Sequence, residues 1–130
     1  MSKTPTSRSL AHLRELGMDA QVVEKWIPAV KRRQDLFGVI DIVAIGDRVV
    51  GIQTTSASNL SARRTKAEEE PRLARWLKAG CRFELHAWGL KGARGKRKTY
   101  QLTRQSAQLT AHGIVWRDED DASSEGLRIL

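Results

Sequence analysis

The sequence predicts an α/β domain in which helices cover the faces of a sheet. Three observations favour this class. Leucines recur at helical spacing near the N-terminus, two apolar strand-like segments follow each other across the turn at Gly46-Asp47, and a later segment alternates between apolar and polar residues. With 130 residues, of which 40% are hydrophobic, the chain is long enough to bury one core.

The first half of the chain is predicted to contain one helix and three strands. Residues 7–17 form the helix, because a serine caps it, leucines share one face and a glycine ends it. Residues 20–26 form the first strand. Residues 36–45 and 49–55 form the second and third strands, which the tight turn between them pairs as a hairpin.

The second half is predicted to return to the sheet after a helical stretch. Ser58 or Ser61 caps this stretch, which runs to residue 79, and Pro71 either kinks it or opens a second helix. The later segments are a strand at residues 82–88, a hairpin loop at 91–98 and a return strand at 99–103. Residues 114–116 either form a further strand or pack loosely.

The charge of the chain is unevenly distributed. The whole sequence has 23 Lys and Arg against 15 Asp and Glu, a net charge of +8, but residues 1–117 carry +12 and residues 118–130 carry −4. We therefore expect one domain over residues 1–117 and an acidic, flexible tail over 118–130. So basic a domain favours a polyanionic partner, with DNA as the default. A membrane surface is less favoured because no long basic amphipathic helix is present.

The cysteine content and hydropathy exclude several other classes. The single cysteine, Cys81, rules out a disulfide framework and a four-thiolate zinc site. No apolar run reaches the 18 residues of a membrane span, and the N-terminus lacks the apolar segment of a signal peptide. We expect a cytoplasmic protein. Three of the tryptophans, Trp26, Trp76 and Trp88, are expected in the core, whereas Trp116 either stacks on a base or covers an edge strand.

Two oxygen-bearing side chains stand out within the predicted hairpin. Asp41 begins an apolar run that gains nothing from a carboxylate, and Gln53 lies 12 positions further on, inside the next strand. The tight turn can bring both side chains to one face of neighbouring strands. Together with a backbone carbonyl and waters they form candidate ligands for Mg²⁺ or Mn²⁺. A hard cation beside a basic surface is suited to phosphodiester hydrolysis.

The segment from Asp35 to Lys66 resembles the PD-(D/E)XK nuclease superfamily, which includes archaeal Holliday-junction resolvases and Mrr-type restriction enzymes. Asp41 with the apolar run after it matches the aspartate that opens the second strand of this family. Gln53-Thr54-Thr55 lies where Asp/Glu-x-Lys belongs. The resemblance implies a restriction-endonuclease-like core of α-β-β-β-α-β order, a mixed sheet with flanking helices. The segment also resembles small uncharacterised phage and prophage proteins that have no established activity.

The departures from the family motif shift the expected roles to other residues. Gln53 resembles the Mrr-type variant, in which the amide oxygen still meets the metal, but the lost charge weakens Mg²⁺ binding. Thr55 removes the usual lysine, for which Lys66 on the following helix is the candidate substitute. Glu24 and Asp35 are candidate additional acids: Glu24 with a catalytic role, Asp35 as a metal ligand. Each of these residues also has a purely structural interpretation, as an ion-paired or hydrogen-bonded side chain.

Two polar segments are candidate nucleic-acid-binding surfaces. The first follows the third strand and provides hydroxyls, helix N-terminal amides and guanidinium groups for phosphates, although a turn and helix cap also account for part of it. The second is the basic loop, residues 91–98, whose cations suit contacts with the DNA backbone. The candidates are Ser56, Ser58, Asn59, Ser61, Arg63 and Arg64 in the first segment, and Lys91, Arg94, Lys96, Arg97 and Lys98 in the second.

The sequence thus favours a metal-dependent DNA endonuclease, with branched DNA as one substrate option and a homodimer as one oligomeric option, both implied by the resemblance. A second hypothesis is a catalytically inactive DNA-binding module on a decayed nuclease fold, for which Gln53 and Thr55 are the evidence. A third is a phage protein that binds a host protein or RNA. The acidic tail either covers the basic face or promotes solubility.

Overall fold

A computed structural model describes residues 3–119 of the chain. In chain order its elements are α1 (Pro5–Glu15), β1 (Asp19–Val22), β2 (Lys25–Ile27), β3 (Arg32–Gln34), β4 (Ile42–Ile45), β5 (Val49–Ser56), a 3-10 turn (Ala57–Asn59), α2 (Leu60–Glu68), α3 (Pro71–Lys78), β6 (Arg82–Lys91), β7 (Thr99–Thr110) and β8 (Gly113–Glu119).

Six strands form a mixed sheet in the order β1-β4-β5-β6-β7-β8. Only β5 and β6 of this sheet run parallel, and α2 and α3 connect them; the other neighbours are antiparallel. A parallel pair requires such a crossover, whereas the antiparallel neighbours β4 and β5 are joined by a tight turn. The predicted α/β class, with a mixed sheet and flanking helices, is confirmed.

The helices cover opposite faces of this sheet and bury two apolar clusters. On one face, α1 packs Leu13 against β4 and β5, where Ile42 and Ile52 are fully buried. On the other face, α2 and α3 pack Ala67 and Leu73 against β6, which contributes Phe83 and Leu85. β5 contributes Val50 and Ile52 to the first cluster and β6 contributes Phe83 and Leu85 to the second, so the sheet is covered on both faces at its centre.

The first predicted strand is split in the structure. It ends at Val22, and residues 25–34 leave the sheet to form a separate two-stranded antiparallel ribbon, β2 with β3. The prediction of one strand over residues 20–26 is therefore wrong in its second half. The prediction that Trp26 fills the core is also wrong, because its side chain lies on the ribbon and is 50% exposed.

The second predicted strand is shortened to β4, and a tight turn replaces its first half. Leu36 and Ile40 exchange backbone hydrogen bonds of 2.9 and 3.0 Å. Phe37 and Gly38 at the tip of this turn have φ values of 54° and 77°. Gly38 adopts this left-handed conformation without a Cβ penalty, whereas Phe37 adopts it at a steric cost. The turn folds the chain back so that Asp35 comes close to Asp41.

The later elements extend or refine the prediction. Pro71 begins a second helix, α3, rather than kinking the first. The return strand, β7, continues to Thr110. Residues 114–116, for which a strand and loose packing were both expected, belong to a strand, β8. Asp118 and Glu119 of the predicted tail belong to β8, and residues 120–130 lie outside the described residues. No helix within residues 3–119 has both the length and the apolar composition needed to cross a membrane.

Candidate metal centre and nucleic-acid cleft

Asp41 lies directly before β4 with its carboxylate buried between two strands. Its backbone N–H donates to the carbonyl of Ile52 at 2.8 Å, which continues the β4–β5 ladder by one step. Its Oδ2 accepts hydrogen bonds from the backbone N–H of Thr54 at 2.8 Å and from the Thr54 hydroxyl at 3.1 Å. The side chain is only 4% exposed and therefore has one fixed orientation.

Gln53 lies on β5 and meets Asp41 on the same side of the sheet. In the β4–β5 register Ile42 is opposite Ile52, so the next step brings position 41 opposite position 53. The amide Nε2 of Gln53 donates to Asp41 Oδ2 at 3.2 Å and to Asp35 Oδ2 at 3.1 Å. Gln53 is 1% exposed, and its Oε1 has no hydrogen-bond partner within residues 3–119. The convergence expected for these two side chains is thus present in the structure.

Three acids come together around this pair. Carboxylate oxygens of Glu24, Asp35 and Asp41 lie within 4.8 Å of one another. Glu24 is brought in where the chain leaves β1, because the N–H of Val23 donates to the carbonyl of Asp41 at 2.8 Å. Asp35 is brought in by the turn that precedes β4. The sequence named both residues as candidate additional acids, and the structure places them with Asp41.

This crowding changes the acidity of Asp41. Burial raises the pKa of Asp41 from its ordinary value of 3.8 to about 7, and the neighbouring Asp35 carboxyl contributes in the same direction. Hydrogen bonds from Thr54 and Gln53 lower the pKa but do not outweigh burial. At neutral pH the carboxyl group of Asp41 therefore gains and loses a proton readily, which is typical of functional sites.

Lys66 is the cation that α2 contributes to the acids. Its Nζ lies 3.9 Å from Asp35 Oδ2, and its side chain is 47% exposed. Thr55, at the position of the usual lysine, is buried at 5% exposure. Arg63 lines the same cleft as Lys66. Arg64 does not line this cleft and donates a hydrogen bond to Gln105 at 3.2 Å.

The acids and Lys66 line an open cleft of about 920 Å³. The ribbon forms one wall with Ile27, Val30 and Arg32. The N-terminus of α1 and the segment after β5 complete the lining with Pro5, Thr6, Ser56, Asn59 and Arg63. Thr6 is fixed there because its hydroxyl lies 2.8 Å from that of Thr54.

The two remaining serines of the first candidate segment do not line this cleft. Ser58 lies beside Ser56, with 3.2 Å between their hydroxyl oxygens, and the carbonyl of Ser61 accepts a hydrogen bond from the Thr65 hydroxyl. Neither serine caps α2, whose N-cap residue is Asn59. The prediction of a cap at Ser58 or Ser61 is therefore wrong, because a 3-10 turn precedes the helix.

The basic loop, residues 91–98, is exposed and lies outside the cleft lining. It extends from the end of the sheet toward which β5 runs, because Ser56 at the end of β5 pairs with Trp88 on β6. Gln53 pairs with Leu85, so the loop begins six residues, or about 20 Å, beyond the level of the acids. Arg8 of α1 stacks on Tyr100 at 3.6 Å and ties the base of this hairpin to α1.

One buried polar cluster was not predicted from the sequence. Glu84 on β6 accepts a hydrogen bond from Arg104 at 3.1 Å, and its carboxylate lies 3.0 Å from His86 Nε2. On the other side of the imidazole, Ser9 Oγ lies 2.9 Å from His86 Nδ1. The same hydroxyl accepts a hydrogen bond from the Trp88 indole at 2.8 Å. Burial alone raises the pKa of Glu84, but the hydrogen bond from His86 and the charges of His86, Arg104 and Arg82 hold it below its ordinary value. The sequence did contain a sign of this cluster, because Glu84 and His86 alternate with the apolar Phe83 and Leu85 in a strand that is buried on both faces.

Comparison with family models, with curated proteins and with solved structures finds no match for this chain.

Proposed function

We propose that this chain is a metal-dependent DNA endonuclease that hydrolyses phosphodiester bonds with a PD-(D/E)XK-type site. The observation that carries the proposal is the convergence in one cleft of side chains that are distant in sequence: Glu24, Asp35, Asp41, Gln53 and Lys66. A sheet gains no stability from gathering three carboxylates at a partly desolvated point, so such a cluster favours a functional role.

The order of elements supports the family assignment. The series α1, β1, β4, β5, the α2–α3 crossover and β6 follows the α-β-β-β-α-β order of the family core, with the ribbon as an insertion between its first two strands. Asp41 lies directly before the second strand of that series, and Gln53 lies on the third. Fold alone does not establish an activity, so the proposal depends on the site.

The donors fit a hard divalent cation such as Mg²⁺ or Mn²⁺. All of the side chains offered are oxygen ligands, the type these ions prefer. Gln53 Oε1 is a buried acceptor without a partner, and a half-turn of the amide exchanges it with Nε2. Asp41, Asp35 and Gln53 would hold the ion, with Glu24 beside them. When bound, such an ion stabilises charge on the phosphate and lowers the pKa of a water.

The remaining groups of the cleft have roles that this chain performs by itself. Lys66 stands beside Asp35 and would steady the scissile phosphate or orient the attacking water. The Asp41 carboxyl, whose pKa burial raises to about 7, must give up its proton to hold the ion. Arg63 and Asn59 would contact a flanking phosphate, and the basic loop would hold the DNA backbone further along.

The proposal is tested by incubating the protein with linear, nicked and four-way DNA in Mg²⁺ or Mn²⁺. We expect cleavage that EDTA stops and that Asp41→Ala abolishes. Asp47→Asn is the matched control, because Asp47 is an exposed aspartate in the turn after β4 and its loss should leave cleavage unchanged. Cleavage that survives Asp41→Ala, once a contaminating nuclease is excluded by repurification, would refute the assigned site.

A DNA-binding module without catalysis is the second candidate, and one observation favours it. The acids already have partners within the protein, since Gln53 Nε2 donates to two of them and Lys66 lies near Asp35. Salt-dependent DNA binding without cleavage of any of the three DNA forms would select this candidate.

A further inference from the structure

The ribbon, residues 25–34, has the composition of a nucleic-acid-binding arm. It contains four cations and no acid: Lys25, Lys31, Arg32 and Arg33. All four are exposed. Its two strands of three residues pair with each other rather than with the main sheet, so its outer surface has no core to cover.

Two large apolar side chains are nevertheless exposed on this ribbon. Trp26 is 50% exposed and Val30 is 54% exposed. Trp26 is opposite Arg33 in the β2–β3 register, so the indole and the guanidinium share one face. An exposed aromatic ring among cations is the combination that binds bases and phosphates together, because the ring stacks on a base while the cations follow the backbone.

The ribbon also borders the cluster of acids. Arg33 Nη1 lies 3.5 Å from Glu24 Oε1, and Ile27, Val30 and Arg32 line the cleft that contains Asp41. Trp26 does not itself line the cleft, so nucleic acid that contacts it would reach the acids by passing over this wall. In an intact duplex the bases stack on one another and leave nothing for the indole, whereas an unpaired nucleotide offers a free face.

We propose that the ribbon binds unpaired DNA, with a base stacked on Trp26, one neighbouring phosphate on Arg33 of the same face and the next on Arg32, which lines the cleft. The substrate of the cleft would then be DNA with a single-stranded segment next to the cleaved bond, as in a flap, a bulge or an open junction. The part of this inference that concerns cleavage rests on the proposed function, whereas the part that concerns binding does not.

The test measures binding in EDTA, where cleavage cannot occur, by fluorescence anisotropy of a labelled single strand and of the matching duplex. Trp26→Ala should weaken single-strand binding between about fivefold and about a hundredfold, the equivalent of about 1–3 kcal/mol at about 1.4 kcal/mol per tenfold, and change duplex binding less than twofold. Trp26→Phe, which keeps an aromatic face, should retain most of the affinity.

A second pair of variants tests the charges. Arg32→Ala should reduce the slope of log affinity against log salt by about 0.7 for a single strand, the effect of one lost phosphate contact. Lys78→Ala at the end of α3 is the control and should leave the slope unchanged, because Lys78 is exposed but does not line the cleft.

The inference would be overturned if wild type and Trp26→Ala bound the single strand with equal affinity. It would also be overturned if Trp26→Ala, with unchanged thermal melting, lost affinity equally for the single strand and for the duplex. Failure of the proposed function has a different signature. If no DNA is cleaved but Trp26→Ala selectively loses single-strand binding, the ribbon assignment stands and the nuclease assignment falls. If Asp41-dependent cleavage occurs while Trp26→Ala binds normally, the reverse holds.

Discussion

Replacing Asp41 by asparagine should make the protein more stable at alkaline pH. The folded state holds the Asp41 carboxyl at a pKa of about 7, against 3.8 in its ordinary setting, because burial and the adjacent Asp35 disfavour its charge. A raised folded pKa means that the folded state binds more protons than the unfolded state between these two values. The free energy of unfolding of the wild type therefore falls as pH rises from about 4 to about 7.

The magnitude follows from the separation of the two pKa values. The two pKa values differ by about three units, and each unit corresponds to about 1.36 kcal/mol. Ionised Asp41 therefore lowers the free energy of unfolding by about 4 kcal/mol at pH 8. Most of this destabilisation is absent at pH 4.5, where Asp41 is protonated in the folded state. Asparagine carries no charge at either pH. Its carbonyl oxygen can still accept the hydrogen bonds from the Thr54 N–H and from Gln53 Nε2.

The assay is urea denaturation of wild type and Asp41→Asn at pH 4.5 and pH 8 in EDTA. We expect the stability advantage of the variant to grow by about 3 kcal/mol between the two pH values. Asp47→Asn removes an exposed carboxylate and should show a difference from wild type that is nearly the same at both pH values. An Asp41→Asn variant that is less stable than wild type at pH 8, or a difference without pH dependence, would refute the reasoning.

Three further predictions follow from the site and the core. Gln53→Glu adds a fourth carboxylate to Glu24, Asp35 and Asp41, which already repel one another. The variant should therefore have a lower melting temperature in EDTA but bind Mg²⁺ more tightly in calorimetry. Weaker Mg²⁺ binding would contradict the assignment of position 53 as a ligand. Lys66→Ala should slow DNA cleavage about a hundredfold, with Arg64→Ala close to wild type because Arg64 contacts Gln105; equal rates for the two variants would remove Lys66 from the mechanism. Glu84→Ala leaves Arg104 buried without its partner and should cost about 3–5 kcal/mol in urea denaturation, whereas a loss below about 1 kcal/mol would show that the cluster is not coupled.

The part of the site on the β4–β5 hairpin could be predicted because its geometry is local. A tight turn at Gly46-Asp47 fixes the register, and alternation then brings Asp41 and Gln53 to the same side. Lys66 was predicted from the resemblance, and the helix after β5 brings it within 3.9 Å of Asp35. The pairing of Asp41 with Gln53 needed only the turn and strand alternation, whereas the choice of Lys66 needed the resemblance.

The turn before β4 and the ribbon could not be predicted in the same way. An apolar run such as residues 36–45 fits a buried strand, and periodicity does not reveal that Phe37 and Gly38 adopt positive φ. Hydrophobicity placed Trp26 in the core, whereas its exposure depends on where β2 lies relative to the sheet. Glu84 and His86 were missed because a buried ionic cluster depends on partners from α1 and β7. The expectations of a homodimer, a branched substrate and a cytoplasmic location stay predictions.

Gln53 in place of an acid is consistent with a site that remains folded without metal. Three carboxylates already lie within 4.8 Å of one another, and a fourth at position 53, where the side chain is 1% exposed, would add like charge. The amide instead donates to Asp35 and Asp41 and stabilises them while no cation is present. On the proposed function, a cation would have to displace these hydrogen bonds and would bind less tightly than to a four-carboxylate set. The fold should therefore be stable in EDTA while any cleavage depends on added metal, which separates the stability of the domain from its activity.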